Sequence, residues 1–215
     1  MPQFAADVVL LHGFTSRATT WERHGWTALL LDAGLRPIAL DLPGHGESPP
    51  AADVSTPALA RHVLAQLDDR RVERVAIVGF SLGGGIALQV ALDSPERVTR
   101  LVVGGVGDPA LHPAEVTLDE PMRRNAERAG NDVDALLPYL GHGTWPGAPT
   151  RLQPLPMPLL VILAEADQYM WPADELLERL RPSNVLRLPG RGHHQVLMDD
   201  EAKRAAVEFL ADLGG

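Results

Sequence analysis

The sequence predicts an α/β domain: a doubly wound, mostly parallel sheet with a small inserted cap. Three observations carry that prediction. Short apolar runs at 8–11, 37–40, 75–78, 101–103 and 159–163, with a weaker one at 186–188, alternate with candidate helices at 26–33, 57–67, 82–93, 174–180 and 200–213. The runs are rich in Val, Ile and Leu almost without polar interruption, as strands covered on both faces must be. Strand–helix alternation of this kind builds parallel sheets. The third observation is a break in the rhythm. From 108 to 158 no run reads as a strand, and Pro, Gly, Met and charge mix around helical patches at 120–129 and 133–140. An insertion of that length in a compact domain is usually a lid, a cap or a binding loop.

The chain of 215 residues fits one domain spanning 1–215, and its 45% hydrophobic content allows a full core. There is no cysteine, which removes disulfides, thiolate metal sites and thiol nucleophiles. The formal charge is −9 and no basic run occurs, so neither nucleic acid nor an anionic membrane is an expected partner. No cluster of charges in the sequence marks a phosphate or coenzyme A site. The N-terminus has no basic leader followed by an apolar stretch, and no run approaches a membrane span, so a cytoplasmic protein is expected. The His and acidic residues show no metal-ligand spacing, so no metal or cofactor is expected. Oligomeric state is not legible.

The first run ends in Leu10-Leu11-His12-Gly13-Phe14, a glycine turn. The second leads into Asp41-Leu42-Pro43-Gly44-His45-Gly46-Glu47-Ser48. His12 and His45 each precede a glycine on a loop, and are expected to shape or line a site. The third run opens the chemistry. Gly79-Phe80-Ser81-Leu82-Gly83 fits G-x-S-x-G between a strand and an apolar helix, the context that makes a serine a nucleophile. In so tight a turn the serine backbone is strained, and residues two positions away come too close for side chains, which Gly79 and Gly83 relieve. The helix N-terminus also favours negative charge developing there. The plainer alternative is a serine that only caps the helix.

A serine hydroxyl needs a base and the base needs an orienting acid. His193, in Gly190-Arg191-Gly192-His193 after the last run, is favoured over its neighbour His194. His24, His62, His112 and His142 have no motif context and read as surface or structural histidines. Asp167 follows the strongest run and is favoured as the acid, with Asp108 second and Glu165 a further alternative. Acyl transfer also needs N–H donors for the oxyanion, and the backbone amides of Phe14 and Leu82 are the candidates.

Five pieces in order, from Leu11–Phe14 through Asp41–Ser48, Gly79–Gly84 and Ala164–Asp167 to Gly192-His193, resemble the α/β-hydrolase superfamily over nearly the whole chain. The resemblance implies a cap inserted after the strand that follows the nucleophile helix, which here is 108–158. It departs in two places. The antiparallel hairpin that often opens the fold is missing before His12, so a compact version is expected, and Ala164 stands where glycine is usual. Ser81 separates the chain from relatives that use Asp there and points to serine esterases, lipases, thioesterases, C–C bond hydrolases and cofactor-free perhydrolases or haloperoxidases. A non-catalytic binding protein on the same fold is the alternative of another class. The expected substrate is a small-molecule ester with a modest acyl group. Phe14, Phe80, Met170, Trp145 and Trp171 are the expected pocket side chains.

Overall fold

The computed structural model describes residues 4–112, 117–140 and 152–212. Six strands form one sheet: β1 (Ala6–Leu11), β2 (Leu35–Leu40), β3 (Val75–Phe80), β4 (Val98–Gly104), β5 (Leu159–Ala164) and β6 (Asn184–Leu188). Their spatial order is β2-β1-β3-β4-β5-β6, and every described pairing is parallel. The helices are α1 (Thr19–Arg23), α2 (Trp26–Asp32), α3 (Thr56–Asp69), α4 (Leu82–Asp93), α5 (Glu120–Ala129), α6 (Asp174–Leu180), α7 (Gln195–Met198) and α8 (Asp200–Ala211).

Strand side chains alternate between two cores, one on each face of the sheet. Val9, Leu11, Ile77, Leu101, Val103, Val161 and Leu163 face α3, α4 and α6. Val8, Leu10, Ala76, Val78, Val102, Leu160 and Ile162 face the other side, with Trp21, Trp26 and Leu30 and with Ala202, Ala206 and Leu210 of α8. Central β3 and β5 are buried at every residue, which is why both read as unbroken apolar runs. The outer strands β2 and β6 carry exposed positions. Pro37 sits in β2, and an edge strand tolerates its missing N–H.

Strand order reverses between β1 and β3, both pairing neighbours running outward from there. In open α/β sheets that point, beyond the carboxyl ends of the strands, is where ligands bind. The described part of the insertion lies over it. Tyr139 donates its hydroxyl to the Pro43 carbonyl at 2.9 Å. Asn131 donates to the carbonyls of Thr15 and Ser16 and accepts from the Gly46 amide. The 133–140 patch is a run of 3-10 turns, Asp134–Tyr139, rather than an α-helix, and it contains Pro138. Among the described residues no helix is long and apolar enough to cross a membrane.

Candidate active site

Ser81 stands between β3 and α4 with φ +54° and ψ −118°, a conformation an L-residue adopts only under constraint. The strand ladder imposes it: the Ser81 amide donates to the Gly104 carbonyl at 2.8 Å, while the next residue already begins the helix. The glycines make the turn possible. A Cβ on Gly79 would meet the Gly83 carbonyl oxygen at 2.3 Å, and one on Gly83 would meet the Leu11 carbonyl oxygen at 2.1 Å. Both obstacles are backbone, so Gly83→Ala is expected to lower stability by about 3 kcal/mol. A urea midpoint equal to that of the native chain would refute this.

The Ser81 hydroxyl does not cap α4. It lies 3.0 Å from His193 Nε2, and His193 Nδ1 lies 2.7 Å from Asp167 Oδ2. An ionised carboxylate only accepts, so Nδ1 carries the proton and Nε2 is free to accept from Ser81. All three side chains are buried. Burial pushes the Asp167 carboxyl up. The bond from His193 and the amides of Tyr169 and Met170 outweigh that and hold it below the usual carboxylate value. The group therefore stays charged.

The competing residues have other partners. Asp108 accepts from the amides of Glu175 and Leu176 at the start of α6. Glu165 pairs with Arg187 near the surface. The His194 ring stands edge-on to His193, with centroids 5.1 Å apart, and makes no bond to Ser81. His12 and His45 are buried behind the cavity wall rather than lining it. His12 Nε2 accepts from the Leu42 amide at 3.1 Å, and His45 Nε2 accepts from the Thr15 amide at 3.3 Å. Each bonds a carbonyl through Nδ1, Gly13 for His12 and Pro43 for His45. Burial, the larger influence on both, lowers His12 to about 4 and His45 to about 3. Two neutral rings thus hold the loops after β1 and β2 against each other.

Gly13 packs against Ser81, since a Cβ there would lie 3.3 Å from the serine Cβ. The loop carrying Phe14 is therefore at Ser81. Leu82 is the first residue of α4, and a first-turn amide has no acceptor within its own helix. A cavity of about 610 Å³ opens beside Ser81 and His193, within the rough range of 300–1,000 Å³ usual for small-molecule sites. Phe14, Phe80 and Met170 line it, as expected.

Trp171 does not. It is 40% exposed and lies outside the cavity, with the Arg187 guanidinium 5.9 Å from its ring. Asp167 Oδ1 takes the amides of both Tyr169 and Met170, and this tight turn gives the cavity to residues 169 and 170. Trp145 and His142 lie outside the described residues. Tyr169 is a cavity residue that sequence reasoning missed. Its ring stands edge-on to His193, centroids 5.4 Å apart, and its place between Asp167 and Met170 was the available signal. Met122, Asn125 and Arg128 of α5, Arg23 at the end of α1 and His24 after it, and Leu197 and Met198 of α7 also line the cavity. Only the fold brings them there. Among the described residues no group of His and acidic side chains could hold a metal ion.

A family model described as the alpha/beta hydrolase fold matches residues 8–131. A putative carbamate hydrolase, RutD, of Variovorax paradoxus is 40% identical over 98% of this chain and 93% of its own. A 2-hydroxy-6-oxononadienedioate/2-hydroxy-6-oxononatrienedioate hydrolase of Cupriavidus pinatubonensis is 41% identical over 50% of this chain and 39% of its own. The chain thus spans well under two thirds of several curated relatives that it matches, 29% of some mycobacterial ones. Among solved structures, Est816, described as an N-acyl homoserine lactone degrading enzyme, superposes with a TM-score of 0.78 at 21% identity, covering 95% of this chain and 93% of its own. The matched family model and the relative covered over nearly its whole length agree with the parallel sheet: the chain belongs to the α/β-hydrolase fold family.

Proposed function

We propose that this protein is a serine hydrolase that cleaves carboxylic esters of small to medium acyl groups through an acyl-enzyme intermediate. The observation that carries the reading is the line Ser81–His193–Asp167, bonded at 3.0 and 2.7 Å along the wall of a cavity of substrate size. Ser81 attacks the carbonyl carbon while His193 Nε2 takes its proton, and the same nitrogen then protonates the leaving group. Water enters, loses a proton to His193, and releases the acid. Asp167 holds the ring in the tautomer this requires and stabilises its cation. The amides of Phe14 and Leu82 receive the oxyanion, a contribution on the order of 100- to 1000-fold per donor. Phe14, Phe80 and Met170 supply the apolar wall, and the insertion acts as a cap over it. Carbamate cleavage is the second reading, favoured by the likeness to the putative carbamate hydrolase over nearly the whole chain.

The test is a panel of p-nitrophenyl esters from acetate to dodecanoate, with an N-alkyl p-nitrophenyl carbamate beside them and fluorophosphonate labelling of the same preparation. Labelling at Ser81 and a rate maximum among the short and medium esters are expected. Folded protein that neither labels nor turns over any member would sink both readings, and a carbamate preferred to every ester would replace the first with the second.

A further inference from the structure

The cavity beside Ser81 carries an uneven distribution of charge that the net charge of the chain does not foreshadow. Arg23, at the end of α1, and Arg128, in the last turn of α5, both line it. They are 105 positions apart in sequence and come from the domain and the insertion respectively. Among the described residues neither guanidinium has a carboxylate partner, although eight other arginines of this acidic protein do. His24, in the same lining, is lowered below its usual value by burial first and then by Arg23 and Lys203, which disfavours a further positive charge there. Lys203 itself is paired with Asp200. The one carboxylate in the lining is Asp119, whose oxygen accepts from the Met122 amide as the cap of α5. Arg23, Arg128 and Asp119 therefore leave the lining with a single net positive charge.

We propose that the substrate carries a carboxylate besides its scissile carbonyl, and that Arg23 and Arg128 bind it. This rests on the hydrolase reading of Ser81 and adds the substrate class. A guanidinium presents a planar fork that matches a carboxylate, and two forks from separate elements lining one cavity can grip one anion. One net positive charge balances a monoanion and leaves a phosphate dianion half-neutralised. The rest of the lining divides accordingly. Phe80, Met170 and Leu197 give an apolar stretch for a carbon chain, while Asn125, held by Thr15 at 2.8 Å, adds an amide to the polar part.

The discriminating pair of substrates is p-nitrophenyl hexanoate and the mono-p-nitrophenyl ester of adipic acid, equal in chain length and differing by the terminal carboxylate. The intact protein is expected to favour the charged ester by ten-fold or more in kcat/KM. That ratio should fall roughly ten-fold in Arg128→Gln and in Arg23→Gln, and it should shrink as NaCl is raised. Both arginines are exposed, so glutamine replaces them without touching the core. Fluorophosphonate labelling counts active Ser81 in each preparation. If nothing labels and neither ester turns over, the hydrolase reading fails. Calorimetric titration with hexanoate, hexanamide and pentyl phosphate then still reads the anion subsite. Hexanoate binding that weakens in both variants supports the subsite. A charged-to-neutral ratio equal in all three proteins overturns it, as does pentyl phosphate binding more tightly than hexanoate.

Discussion

Ser81→Ala is expected to lower kcat/KM toward any accepted ester by on the order of 10⁴- to 10⁶-fold while leaving the fold in place. The size of the loss follows from the way the three groups work as a unit. In the proposed mechanism, without the hydroxyl His193 has no proton to take from a nucleophile, and only binding and the oxyanion amides act on the substrate. The fold is spared for a separate reason. The hydroxyl bonds His193 and nothing in the helix cap, so its removal costs about 1 kcal/mol. The backbone strain at φ +54° is common to serine and alanine and cancels between the two proteins. Steady-state rates and urea midpoints measured on the same preparations check the prediction. A variant that keeps its fold and more than a tenth of its activity would remove Ser81 from the chemistry.

Acidification is expected to cost about 4 kcal/mol of stability between pH 7 and pH 5, through His12 and His45. The sign follows from the direction of the shifts. Both rings are neutral in the folded protein, with values lowered to about 4 and about 3, against an unfolded value of about 6.5. Between those limits the unfolded chain holds more protons, so stability is fully present above about pH 6.5. It is lost as pH falls toward the folded values, at about 1.4 kcal/mol per pH unit for each ring. Burial is the main cause at both, and at His45 the neighbouring His12 adds to it, with ring centroids 5.0 Å apart. Both rings already use Nε2 to accept a backbone amide, so protonation would break those bonds as well as bury a charge. Urea titrations at the two pH values give the loss. Proton uptake on unfolding at pH 5, expected at about two per chain from these rings, gives its origin. Equal stability at pH 7 and pH 5 would refute the assignment.

Where sequence and structure part company, the causes are local. The runs read as 75–78 and 159–163 correspond to β3 and β5, within two residues, because buried central strands have no polar positions to blur them. The run read as 101–103 belongs to a strand beginning at Val98, since Thr99 and Arg100 at its partly exposed start carry no apolar signal. The edge strand β6 begins at Asn184 for the same reason. Helices α1 and α7, of five and four residues, are too short for a helical period to emerge, yet both border the cavity. Trp171 is among the pocket side chains the sequence leads one to expect. The turn set by the two amides on Asp167 decided otherwise.

The sheet and the glycine-flanked turn at Ser81 are legible in the residues alone. Each depends on local chemistry: unbroken apolar runs, and glycines where backbones meet. Which of two adjacent histidines meets Ser81, and which acid meets His193, follows from tertiary packing. It alone decided that Arg23 and Arg128 share a cavity. Those facts depend on the directions of side chains carried by separate elements, and direction in space is set by packing across the sheet rather than by the residues on either side.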